Sequence, residues 1–133
     1  MPIIVHGFRR GQTGTADFGD AQEEGVPIGL YRVPATVTSG SGGTAPTPRL
    51  VSATGAAAGF TAEVNNTTVA TTSGTLELLD VFTWNVRVPE SQLFIPEFRY
   101  EFAQATACVI RVITGPADAI ATTNGSVLVE EGG

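Results

Sequence analysis

The residues able to do chemistry in this 133-residue chain are few and scattered. His6 is the single His, Cys108 the single Cys, and there is no Lys. A Ser-His-Asp triad would need His6 as its base, and no G-x-S-x-G turn accompanies it. One His and one Cys cannot furnish a zinc site. The acids Asp17, Asp20, Glu23 and Glu24 could offer oxygens to Ca²⁺, but they lack the every-second-residue spacing of a calcium loop. Glu97 and Glu101, with Glu90 nearby, supply carboxylates of the kind a glycosidase uses, here on what reads as one strand. Gly40-Ser41-Gly42-Gly43 has neither the Lys nor the following helix of a phosphate loop. Cys108 reads as a small apolar residue on the face of Ile110 and Val112. The expectation is a protein that is not an enzyme, with no catalytic residue, metal or cofactor.

The elements around these residues read as strands. Val81–Ile113 holds the only Trp and the most regular alternation of the chain. Phe82, Trp84, Val86 and Val88 point one way; Phe98, Tyr100 and Phe102 do so in a second run; Cys108, Ile110 and Val112 in a third. A period of two marks a strand with one face buried. Segments 81–88, 97–102 and 107–113 are expected to form a meander, with Arg87, Arg99 and Arg111 on its outer face. Alternation slips at Leu78-Leu79, where a bulge would restore the register. Pro89–Pro96 is expected to connect the first two runs, with room for one helical turn at Glu90-Ser91-Gln92. Asn124-Gly125 suits a two-residue hairpin.

Ahead of this region, Ile3-Ile4-Val5 is a short β-prone run. Residues 7–25 are Gly-rich and polar, with Phe8 and Phe18 as isolated aromatics, so residues 1–25 read as an extended N-terminal arm or loop and 26–133 as the folded domain. Removal of residues 1–20 is then expected to leave that domain folded. Pro27 and Pro34 break residues 26–38 and suit edges or bends. Residues 39–48 have the composition of a surface loop. Arg49–Thr54 and Val69–Thr72 are short strand candidates. About eight strands and no helical periodicity predict an all-β, single-domain antiparallel β-sandwich of jelly-roll-like form.

Charge narrows the partners. The formal net charge is −6 and only Arg9-Arg10 are adjacent cations, which argues against direct nucleic-acid binding. No apolar run approaches the roughly 20 residues of a membrane span. The first residues lack a basic region ahead of an apolar core, so synthesis and use in the cytoplasm, or in a particle assembled there, is expected.

In its size, acidic Thr/Ala/Gly/Val-rich composition, arm and strand pattern, the chain resembles the accessory proteins of tailed-bacteriophage virions, above all capsid cement or decoration proteins. The resemblance implies a structural protein, a dimer or trimer, that clamps the major capsid protein in the virion. Ile3, Ile4, Val5, Phe8, Arg9 and Arg10 would then be contacts from the arm, and Arg87, Arg99 and Arg111 contacts from the sheet. Two alternatives stand beside it: a tail or baseplate component, and a carbohydrate-binding or adhesin-like sandwich. The second would show exposed aromatics, whereas Trp84 and Tyr100 fall on the expected core face.

Overall fold

The computed structural model describes residues 2–13, 23–33, 36–38, 40–51, 55, 57–62, 67–68, 70–104, 106–115 and 122–132. The chain is all-β, and its sheets are antiparallel. In chain order the strands are β1 (Ile3–Thr13), β2 (Gly25–Val33), β3 (Val37–Thr38), β4 (Thr71–Thr72), β5 (Glu77–Asn85), β6 (Glu90–Leu93), β7 (Tyr100–Phe102), β8 (Ala107–Val112) and β9 (Thr122–Glu131).

β1 is the centre of the first sheet. β9 runs along one flank, from Ile3↔Glu131 to Thr13↔Thr122. Two short strands share the other flank: β7 against Ile3–Val5 and β6 against Gly7–Arg10. The expected arm over residues 1–25 is therefore corrected for Ile3–Thr13, which is a central strand. Deleting it would remove the middle of a sheet. Residues 14–22 lie outside the described residues.

One irregularity makes β1 work. Val5 pairs with Val129 and Gly7 with Leu128, so His6 is an extra residue in β1. A bulge shifts the side-chain phase by one. That shift brings Val5 and Phe8, which a regular strand would put on opposite faces, into the same core.

The second sheet has the order β5-β2-β8. Val26, Ile28 and Leu30 alternate inward along β2 and are buried. Pro27 lies within this central strand, not at an edge. The Ile113 N–H donates to the Pro27 carbonyl at 2.9 Å just after β8 ends at Val112. The N–H that proline lacks is needed only where β8 has already stopped, so proline at this position costs the ladder little. Pro34 is outside the described residues. In β5, Leu30 pairs with Asp80 and Tyr31 with Leu78, leaving Leu79 as the extra residue. The bulge expected at Leu78-Leu79 is present.

The two sheets share one core. Val5 and Phe8 of the first sheet meet Leu30 of the second, with Phe94 and Phe102 beside them. The rings of Phe8 and Phe82 stack with centroids 4.6 Å apart, one from each sheet. Val26, Ile28, Trp84 and Val86 form a second cluster. Burial of each such side chain is worth roughly 1.5–3 kcal/mol relative to exposure. Arg32 of β2 ties the sheets at the rim, donating to Glu77 Oε2 at 2.9 Å and to the Glu101 carbonyl of β7 at 3.3 Å.

Several local expectations are corrected. The meander does not form: β5 and β8 both pair with β2, and β7 belongs to the other sheet. Glu90–Leu93 is a strand, and the helical turn is a 3-10 segment at Pro96–Phe98. Asn124-Gly125 runs straight through β9 opposite Gly11 and Arg10. Arg49–Val51 forms no strand, and Ser52–Thr54 is outside the described residues. Thr71–Thr72 pairs with Val37–Thr38 in a small separate ribbon. Ser41 bridges Thr68 ahead of the exposed loop.

Candidate functional site: an apolar corner between the sheets

The sequence-derived candidates do not converge. His6 Nε2 lies 2.8 Å from Glu130 Oε2, so the bulge residue is engaged with the neighbouring strand. Glu23 accepts from Asn85 Nδ2, while Asp17 and Asp20 are outside the described residues. Glu97 sits in the 3-10 turn and Glu101 in β7, so they do not share a strand as expected. Among the described residues, no group of three or more His, Cys, Asp or Glu could hold a metal ion.

The expected interaction residues separate into core, ion pair and surface. Val5 and Phe8 are buried and are unavailable to a partner. Ile3 and Ile4 are half-buried in β1, and Arg9 is exposed. Arg10 turns inward: its Nη2 donates to Glu90 Oε2 at 3.1 Å, with the side chains only 14% and 26% exposed. Its guanidinium lies 4.4 Å from the Trp84 ring and 5.0 Å from that of Phe82. Burial pushes its pKa down and Glu90 pulls it back. Among the described residues Arg10 Nε meets no partner, nor does Gln12 Oε1, although Gln12 Nε2 donates to the Val86 carbonyl at 2.7 Å. Arg87, Arg99 and Arg111 are exposed but not together: Arg87 is in the turn after β5, Arg99 precedes β7 in the other sheet, and Arg111 is on β8. Arg111 instead covers the Tyr31 ring at 5.5 Å.

Cys108 departs from its expected burial. The residue is exposed near the start of β8, while the protein packed around its thiol pushes the pKa up to about 12. Surface access and desolvation point opposite ways here. Access decides whether a reagent can arrive, and the raised pKa keeps the sulfur in the weakly reactive thiol form at neutral pH.

The site that the structure does assemble lies where β5 faces β6 and β7. Ile95 precedes Pro96 and is extended, as a residue before proline must be, with φ −65° and ψ 156°. Pro96 then opens the 3-10 turn, closed by the Phe98 N–H on the Ile95 carbonyl at 2.9 Å. The turn throws Phe98 outward, 65% exposed, instead of onto the core face with Tyr100 and Phe102. Leu93 and Ile95, at 58% and 56%, flank the buried Phe94. These three exposed side chains frame an open depression of ≈ 500 Å³ whose polar lining is Asp80, Gln92 and Tyr100. The run Leu93-Phe94-Ile95 was the available signal: three consecutive apolar residues in a period-two segment cannot all point inward.

Inside the depression, burial raises the Tyr100 phenol above the usual 10, and the charge of Asp80 and a hydrogen bond to it act in the same direction. A phenol held protonated in this way contributes fully to stability below about pH 10 and loses that contribution as pH climbs through its folded value. Absorbance titration near 295 nm should therefore show a late phenolate step that vanishes in Tyr100→Phe. The alkaline loss of stability should shrink in the same variant.

Compared with protein-family models, with curated proteins and with solved structures, the chain finds no match.

Proposed function

We propose that this protein is a non-catalytic structural component of a virion, a β-sandwich of the capsid cement or decoration kind, whose apolar corner seats on the major capsid protein. The observation that carries the reading is the contiguous exposure of Leu93, Ile95 and Phe98 around one depression. Isolated exposed apolar residues are ordinary, but a clustered set with a large aromatic at its tip marks an interaction surface. A corner of three side chains buries too little for a tight solitary contact. On a symmetric shell the same modest contact is repeated, and linkage among copies raises the effective concentration. The all-β scaffold, with a turn fixed by Pro96, presents these side chains on a backbone that has little freedom left to lose.

The test is co-sedimentation of the purified chain with expanded capsid shells that carry no other accessory protein. Saturable binding that is lost in Phe98→Asp, with the fold intact by circular dichroism, is the expected result. Binding indifferent to Phe98→Asp and Ile95→Asp would sink the assignment of the corner. Retention by tails in place of shells would move the protein to the tail or baseplate.

A second reading has its own observation. Phe98 stands exposed beside Gln92 and Asp80, an aromatic surface next to an amide and a carboxylate, which is an arrangement suited to a sugar ring. Binding to a glycan array, abolished by Phe98→Ala, would favour that carbohydrate-binding role over the capsid.

A further inference from the structure

β9 is a ten-residue strand whose only partner among the described residues is β1. In an antiparallel strand, alternate residues turn their N–H and C=O groups away from the partner, so β9 offers along its outer edge a row of backbone groups that no strand of the described residues pairs. Asn124, Gly125, Ser126, Val127 and Leu128 are all exposed. Edge strands normally carry a device against such pairing, usually a charge, a proline or shortness. The other edges here have one. β5 carries Glu77 and Asp80, β8 carries Arg111, β6 and β7 are four and three residues long with Glu90 and Glu101, and β3 and β4 have two residues each. From Thr122 to Val129, β9 has no charge and no proline.

We infer that β9 is a homodimer edge: two copies join β9 to β9, antiparallel, about a two-fold axis near the middle of the strand, continuing the first sheet across both. The charge pattern selects this occupant and this direction. The only acids of β9, Glu130 and Glu131, lie together at its C-terminal end, held by His6 Nε2 at 2.8 Å and by the Gly59 N–H at 2.8 Å. A parallel copy would set Glu130 on Glu130 and Glu131 on Glu131, and directly opposed like charges destabilise a sheet. The antiparallel copy sends each acidic end to the other's neutral beginning. Centred on Val127, it faces Val127 with its own equivalent, Ser126 with Leu128, Gly125 with Val129 and Asn124 with Glu130. Val127 and Leu128, 52% and 40% exposed in the single chain, gain cover on the two faces of the joined sheet. Because the interface is isologous, one pairing satisfies the free edge of both copies at once.

The experiment measures the mass of the 133-residue chain by sedimentation equilibrium over a wide concentration range, for the wild type, Phe98→Asp, Leu128→Lys, Leu128→Glu and an equimolar mixture of the two Leu128 variants. The expected result is a wild-type dimer, both variants folded but monomeric, and recovery of the dimer on mixing, since Lys and Glu then sit within reach across the two-fold. A wild type that remains monomeric throughout overturns the inference. So does a dimer that survives both single variants, or one that dissociates only in Phe98→Asp, which would place the contact at the corner instead. Unfolding of the variants would be checked by circular dichroism; should they unfold, Ser126→Lys and Ser126→Glu on the same strand replace them and are read the same way.

Discussion

Replacing Gly7 with alanine should unseat β6 from β1 and cost on the order of 3 kcal/mol, the upper range for forcing atoms into an already packed site. A Cβ at position 7 would fall on the carbonyl oxygen of Gln92 and come to 3.0 Å from Leu93 Cα. Both obstacles are centred on backbone, which cannot swing aside as a side chain can. The strand pair Gly7↔Leu93 would have to open. Gln92 and Leu93 also line the corner depression, so a substitution in the core of the first sheet should disturb that depression as well as the fold. Denaturant unfolding with an unchanged slope and a lower midpoint is the expected reading. A variant within about 0.5 kcal/mol of the wild type, the range of an ordinary surface change, would show that β6 can yield.

Trp84→Ala should be comparably severe, at about 3–5 kcal/mol. Trp84 is 2% exposed and sits at the centre of the cluster with Val26, Ile28 and Val86. Its Nε1–H donates to the Val88 carbonyl at 3.0 Å, which holds the turn after β5. It also carries the Arg10 guanidinium, itself largely out of solvent. Removing the ring deletes a large apolar surface and leaves a charged group without one of its two aromatic supports. Trp84→Phe should retain much of the volume and lose the hydrogen bond, so it should fall well short of the alanine variant. If the two substitutions prove equal in unfolding free energy, the ring's bulk is not what the core requires.

Much of the fold was legible in side-chain spacing, and what was not depended on distant partners. The alternation of Trp84 and Val86 identified their buried face, and the slip at Leu78-Leu79 located a real bulge. The same reasoning misread β1. Its inward positions after the bulge are Phe8, Arg10 and Gln12, of which only the first is apolar, so GFRRGQT has the composition of a loop. It is a strand because β9, more than a hundred residues away, pairs along its length. Asn124-Gly125 misled in the opposite sense. Gly125 is required by a close approach, since a Cβ there would lie 2.5 Å from the Arg9 carbonyl oxygen, and not by a tight turn. The meander failed because local alternation tells which face is buried but not which strand lies alongside. The corner was hidden by the same limit: Phe98 continues the spacing of Tyr100 and Phe102, yet it ends the 3-10 turn that Pro96 opens and so stands outside β7.

The pairing of β1 with β9 also sets a clock. As the chain is made, β1 emerges well ahead of β9 and cannot complete its sheet until Thr122–Glu131 follows. Loop closure over so long a separation is slow compared with local hairpins, and folding rates fall as contacting residues lie farther apart in sequence. On the ribosome the edge of β1 that takes β9 therefore waits for a strand made more than a hundred residues later. A product interrupted ahead of β9 has no route to the native first sheet.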